Sequence, residues 1–357
     1  MGASRAPIAV AAQQRIQWPD AARGMAIVLV VFHHAIIYSA AEGLAAPGWL
    51  AATEMLRTMR MPLFFLAAGL FAGKYVTGRW RSVFQKKILL FAWVFVLWVI
   101  VRWTVLNLIP GVDSETGILQ LPLHLVWPVG GWFIFVLAIY FVLARCSVGI
   151  PTSIQLAVAG VASLLWFALD DPIGNNGWDG VPTFYFFFLV GCYGRSGILA
   201  FGNALSVASG IAVVAGWAAS YVALAHWGLA DAPVISFAMR VLGLGAGIAL
   251  ARGLERHRWL RRLGGQTLPI YLSHTLWIFF AVWILTLIWP GGDSSAAMWV
   301  PLPIALFGLA MAWLMARCVA YLGANWLFET PQWLAGMFDR FWPLSRPIAS
   351  PDPTVSN

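Results

Sequence analysis

The sequence predicts an all-α, polytopic membrane bundle of about ten transmembrane helices with both termini on the cytoplasmic side. Three observations carry that expectation. Of 357 residues, 61% are apolar and 10% charged, and the mean hydropathy is +0.79, whereas a soluble domain carries about 25% charged residues. Apolar stretches near membrane-crossing length recur at 24–41, 50–73, 88–108, 123–144, 151–169, 182–194, 203–225, 234–251, 267–288 and 298–317. The charges between them alternate. One set of connections holds Arg5 and Arg15, then Lys74, Arg79, Arg81, Lys86 and Lys87, then Arg145, then Arg195, then Arg252, Arg256, Arg258, Arg261 and Arg262. The other set holds Asp113 and Glu115, then Asp170, Asp171 and Asp179, then Asp231, then Asp293, and carries no Lys or Arg. Basic connections stay in the cytoplasm, which puts both ends of the chain there.

The elements follow in order. The first fourteen residues lack the apolar core and cleavage site of a signal peptide, so the first helix is expected to be an uncleaved anchor. The 182–194 stretch is short and needs tilt, local thinning or extension at either end. The run from Ala324 to Trp342 reads as an interfacial amphipathic segment. No polar block is long enough for a separate soluble domain, so 1–343 reads as one transmembrane domain and 344–357 as a disordered tail. Twenty-one tryptophans suit interfacial belts and an aromatic-lined cavity. Cys146, Cys192 and Cys318 show neither metal spacing nor a disulfide framework. They are expected to pack, and no metal site is predicted. The net charge of +8 is distributed as topology signals, so nucleic acid is not expected as a partner; membrane lipid is.

Ionisable residues inside a span cost about 2.5 kcal/mol or more each on insertion scales and usually mark a function. The first stretch holds His33 and His34, with Asp20 and Arg23 at its start. At about 100° per residue, the eleven steps from Arg23 to His34 return to within about 20° of one face. At about 1.5 Å per residue, His34 lies some 16 Å deeper, near the bilayer midplane. His33 projects about 100° away, a structural or supporting position. Asp20 and Arg23, three residues apart, share a face. Glu54, Arg57 and Arg60 do so as well, on a helix entered from the outer side. Arg102 and Arg240 lie within apolar runs, where an unpaired charge is costly. His124, His226 and His257 sit at loop edges and read as surface residues.

Four stretches resemble the acyltransferase 3 family of integral membrane acyltransferases. Asp20, Arg23 and His34 follow its first-helix pattern of Asp, basic residue, ten residues and His. Met61, Pro62, Leu63, Phe64 and Phe65 are similar to its second-helix signature. Trp132 and Phe133 resemble its Trp-Phe element, and Tyr271, Leu272, Ser273 and His274 its Tyr-Leu-x-His run. The matches are in order and span 15–280. Two departures stand out: Ala68 replaces a usual Ser before Gly69, and the basic loop around Lys86 and Lys87 lacks the usual Arg-rich run and Pro.

The resemblance implies an acyl-CoA donor, acetyl-CoA above all, used as a substrate rather than a bound cofactor. It also implies a hydroxyl acceptor on a carbohydrate or lipid-linked glycan, and a location in the bacterial inner (cytoplasmic) membrane. The implied catalytic residues are His34, as general base or as an acylated nucleophile, and Asp20. Arg23, Lys86, Lys87 and His274 fall to the donor, whose phosphates suit Arg. Arg57, Arg60, Trp132, Arg102 and Arg240 are candidates for the acceptor path. Two other readings stand beside this one. A transporter would use the intramembrane His and Arg as a substrate or proton path, although no internal repeat echoes the Asp20–His34 stripe. A haem-binding redox protein would need His34 and His274 to face one another.

Overall fold

The computed structural model describes residues 16–109, 120–289 and 296–341. Arg5, Arg15, Asp113, Glu115, Asp293 and the 344–357 tail therefore lie outside the described residues. Those described are helical with connecting turns and contain no strand. The longer helices are α1 (Trp18–Ala41), α2 (Pro47–Leu70), α3 (Leu89–Leu108), α4 (Trp132–Cys146), α5 (Thr152–Ala168), α6 (Asn176–Tyr193) and α7 (Arg195–Ala204). They continue with α8 (Val207–His226), α9 (Pro233–Leu254), α10 (Arg258–Gly265), α11 (Thr267–Ile288), α12 (Pro301–Tyr321) and α13 (Gln332–Phe341). Six segments are long and apolar enough to cross a membrane: α1, Trp80–Leu108, α8, α9, α11 and α12. The pair α6 and α7, bent by 82°, adds a seventh if it forms one broken span. α2 has comparable length but carries Glu54, Arg57 and Arg60, while α4 and α5 are shorter. The protein is thus an all-helical, multi-pass membrane protein.

Two predicted segments shift for identifiable reasons. The 123–144 stretch divides, because Gly131 takes a left-handed conformation (φ 73°) as the N-cap of α4 and leaves Leu121–Val126 as a separate short helix. The short 182–194 stretch extends backwards to Asn176. Asn175 caps that helix through the amides of Gly177 and Trp178. Asp179, read from sequence as a loop charge, is 4% exposed and accepts from the Asn175 and Ile173 amides and the Trp166 indole. It is a buried structural carboxylate, fixed by three donors.

α1 is the hub, packed against α2, α9, α10, α11 and α12. Small residues allow the close approaches, as membrane bundles require. A Cβ on Gly24 would come within 2.0 Å of the Leu260 carbonyl oxygen, and one on Gly264 within 2.0 Å of the Asp20 carbonyl oxygen. α1 and α10 therefore cross backbone to backbone. α2 and α6 do the same at Gly69 and Gly191, where a Cβ would meet Phe188 O at 2.2 Å and Leu66 O at 2.3 Å. Beside that crossing, Phe65 stacks on Phe184 at 5.2 Å and Phe64 on Phe133 at 4.2 Å, tying α2 to α6 and α4.

The chain enters α3 through one turn of π-helix, Phe84–Ile88. That turn separates two neighbouring lysines. Lys86 is exposed, whereas Lys87 is half-buried with its ammonium 4.5 Å from the Tyr75 ring centroid. At the C-terminal end, Trp98 donates to the Leu327 carbonyl and stacks on Phe328, and Trp93 donates to Trp326. The segment from Ala324 thus folds back along α3.

The glycine crossings give a direct test. Gly69→Ala is expected to destabilise the protein by about 2–3 kcal/mol, read as a lower thermal midpoint in detergent. Gly73→Ala, whose Cβ would sit 3.5 Å from Cys192 O, should leave the midpoint within about 1 °C.

Candidate active site

Two histidines meet in the middle of the bundle. His34 on α1 and His274 on α11 approach with Nδ1 of His34 3.2 Å from Nε2 of His274 and ring centroids 4.9 Å apart. Each ring is also tied to its own helix. Nδ1 of His34 lies 2.8 Å from the Val30 carbonyl, and Nδ1 of His274 lies 2.9 Å from that of Ile270. A carbonyl only accepts, so both rings carry their proton on Nδ1 when neutral. Nε2 of each then bears a lone pair. That of His274 faces the His34 N–H, and that of His34 has no protein partner among the described residues. His274 is 1% exposed, while His34 is accessible to the cavity beside it.

That cavity holds about 340 Å³ and is lined by the pair, by Tyr38, Arg102, Trp132 and Tyr271, and by further aromatic side chains of α3. Arg102 is held on its wall by long hydrogen bonds to Tyr38 Oη (3.3 Å) and Thr275 Oγ1 (3.4 Å). Gly130 makes room for it, since a Cβ there would lie 2.9 Å from Arg102 Cδ. The lining continues to Leu106, His124 and Val129, away from the Arg23 end of α1. A fixed cation, two imidazoles and a Trp-rich wall suit a polar, ring-bearing ligand.

At the opposite end of α1, Arg23 donates to Thr267 Oγ1 at 3.0 Å and lies 5.4 Å from the Phe71 ring centroid. Asp20 and Lys87 are within electrostatic reach of it, and Lys74 is within reach of Lys87. A second cavity of about 580 Å³ opens beside them, lined by Asp20, Phe71, Arg195 and Asn203 among others. The two cavities lie towards opposite ends of the Arg23–His34 stripe.

Residues 16–317 match the acyltransferase 3 family model, described as an acyltransferase domain. The chain belongs to the acyltransferase 3 family. No curated protein and no solved structure gives a significant match. As a family member it is a membrane acyltransferase. Three of the four stretches that carry the resemblance contribute lining to the cavity, through His34, Trp132, and Tyr271 with His274, and the second packs behind it through Phe64. Tyr271 accepts from the Phe133 amide at 3.0 Å, Phe133 stacks on Phe64, and His274 reaches His34. Much of the family pattern is therefore scaffold for the histidine pair.

The structure divides the residues singled out from sequence. His34, His274, Arg102 and Trp132 line one cavity, and Asp20 lines the other. Arg23 and Lys87 form the basic end, with Lys86 exposed beside it. His274 is not near that basic end but opposite His34. Arg57, Arg60 and Arg240 line neither cavity; they gather on the far side of α1 with His33, whose Nδ1 is 2.8 Å from Thr53 Oγ1. His34 and His274 do face one another, but axial nitrogens on the two faces of a haem lie about 4 Å apart at roughly 2 Å per bond, more than their 3.2 Å separation.

Tyr38, Thr275, Tyr271 and His124 also line the cavity and were not singled out for it. Tyr38 was legible, being four residues from His34 on one face; His124 had no local signal. Tyr271→Phe would orphan the buried Phe133 amide and is expected to cost about 1–3 kcal/mol. Thermal unfolding in detergent would show it as a lowered midpoint.

Proposed function

We propose that this acyltransferase moves an acyl group, acetyl by preference, from acyl-CoA to a hydroxyl of a sugar or lipid-linked glycan. The observation that best supports this is the His34 imidazole, with Nδ1 held by backbone and Nε2 free beside a cavity lined by aromatics and Arg102. In this reading about ten helices span a bacterial cytoplasmic membrane with both termini inside. The Arg23 end then faces the cytoplasm and the Arg102 cavity faces outward.

Donor and acceptor approach His34 from opposite ends. Arg23 and Lys87 attract the phosphates of CoA, the aromatic ring of Phe71 offers a flat surface for adenine, and the slender arm carries the thioester along α1. The acceptor hydroxyl lies in the Trp132 cavity. His34 Nε2 takes its proton as the oxygen attacks the thioester carbonyl. The carbon–sulfur bond breaks, and the imidazolium returns that proton to the departing thiolate. The ester and free CoA leave on opposite sides. A two-step route has one observation in its favour: if Nε2 of His34 were acylated, its Nδ1 proton would have an acceptor in His274 Nε2, 3.2 Å away.

The first test is CoA-thiol release from acetyl-CoA by purified protein with glycan acceptors. His34→Ala is expected to lower the rate by about 10²–10⁴-fold with an unchanged size-exclusion profile. Wild-type-like release by the folded variant would remove His34 from the chemistry. The two approaches separate kinetically. Arg23→Gln should raise KM for acetyl-CoA by about tenfold, since a charged hydrogen bond contributes about 1.5–3 kcal/mol. Arg102→Gln should leave that KM alone and raise the KM for acceptor instead. Identical effects of the two variants on both constants would contradict the two-ended arrangement.

A further inference from the structure

Across α1 from the cavity lies a second charged cluster that the acyl-transfer chemistry does not use. α2 and α9 cross where a Cβ on Gly243 would come within 2.5 Å of the Thr58 carbonyl. Arg57 and Arg60 flank Thr58 on α2, and Arg240 stands one turn before Gly243 on α9. Arg60 and Arg240 are each 3% exposed. Both are within electrostatic reach of Arg57 and Glu54, and Arg240 also of Asp171.

Two features are unusual for a bundle interior. The buried guanidiniums are poorly satisfied. Arg60 has one long hydrogen bond, to Thr53 Oγ1 at 3.3 Å, and Arg240 uses a single nitrogen on Ser236 while its face lies 4.1 Å from the Phe167 ring centroid. The Nε of each is buried without a partner, although a buried charge normally has its donors filled. The buried guanidiniums also lack a direct ion pair. Glu54, the acid within electrostatic reach of Arg60, is engaged by Arg57 at 3.5 Å. Among the described residues, neither Arg60 nor Arg240 has a carboxylate at ion-pair distance.

We infer that Arg57, Arg60 and Arg240 form a binding site for a phosphodiester headgroup, a monoanion whose oxygens match guanidinium forks. The expected source is an anionic membrane lipid. α8 beside the cluster buries only Trp217, whose indole donates to Thr58 Oγ1 at 3.0 Å. Its outer face, with Ile211 and Val222 exposed, leaves a path by which a lipid can approach. Arg57, 43% exposed in its side chain, is the outermost of the three. The site is connected to the histidine pair. Arg60 donates to Thr53 Oγ1, that hydroxyl lies 2.8 Å from His33 Nδ1, and the His33 ring packs edge-on against His34 at 5.2 Å.

The test measures binding, not acyl transfer, so its failure is distinct from failure of the proposed reaction. Thermal midpoints of the full chain in detergent would be recorded with phosphatidylglycerol, phosphatidylcholine or inorganic phosphate, for wild type, Arg57→Gln and Arg240→Gln. Phosphatidylglycerol should raise the wild-type midpoint by about 4 °C more than phosphatidylcholine, and both variants should lose that increment. An equal rise with inorganic phosphate, lost in the same variants, would support the site and assign it a soluble ligand. A rise that persists undiminished in the variants, or no anion-dependent rise in wild type, would overturn it. Should Arg240→Gln fail to fold, the half-exposed Arg57→Gln decides alone.

Discussion

An imidazole in an apolar bundle must satisfy its N–H without water, because an unpaired polar group there costs several kcal/mol. Here the acceptors are the carbonyls of Val30 and Ile270, each one turn earlier on the ring's own helix. Borrowing them fixes tautomer and ring plane together, and it leaves Nε2 of His34 free to take a proton. The rest of the site depends on that restraint. It is useful only if α1 and α11 keep their relative height. The Arg23–Thr267 hydrogen bond holds them at the basic end, and the contact of the two rings holds them in the middle. Gly308 on α12 admits Ile278 of α11 closely enough that a Cβ would come within 2.6 Å of it, which braces α11 from behind.

What local periodicity encodes was legible in the sequence. Helix positions followed from apolar runs, and the Arg23–His34 stripe followed from eleven residues of helical geometry. What joins distant elements was not. His274 could be placed seven residues into its helix, but its partner lies 240 positions away in sequence. Arg102 could be marked as a buried charge, yet Tyr38 and Thr275 come from two other helices. Asp179 shows a different failure. As a charge between apolar runs it reads like a solvated loop residue, whereas the turn before its helix folds the Asn175 and Ile173 amides and the Trp166 indole onto it, a local geometry that charge patterning does not record. Gly131 likewise interrupts a continuous apolar pattern through its backbone conformation, which hydropathy does not record.

The family pattern mixes chemistry with packing, and the departures fall where packing tolerates them. Ala68 is half-buried beside Gly69, and it is Gly69, not its neighbour, that the crossing with α6 requires. The Met61–Phe65 run supplies the rings that stack on α4 and α6. In the basic loop the π turn gives Lys87 a place over Tyr75 near Arg23 and leaves Lys86 outside. One inward lysine with Arg23 therefore forms the positive end without an arginine-rich run.

α4 runs for fifteen residues, a length of about 22 Å against a hydrocarbon core of about 30 Å. Its first turn, at Trp132, belongs to the cavity wall, and the chain before it turns sharply at Gly131. A backbone turn at that depth cannot rely on lipid tails for its partners, and the Gly131 carbonyl accepts instead from the Ile134 and Phe135 amides. In the proposed arrangement the apolar length beside the histidine pair is therefore shorter at α4 than along α1 or α11. A hydrophilic acceptor entering at the Arg102 side then has only part of a membrane to cross before it reaches His34.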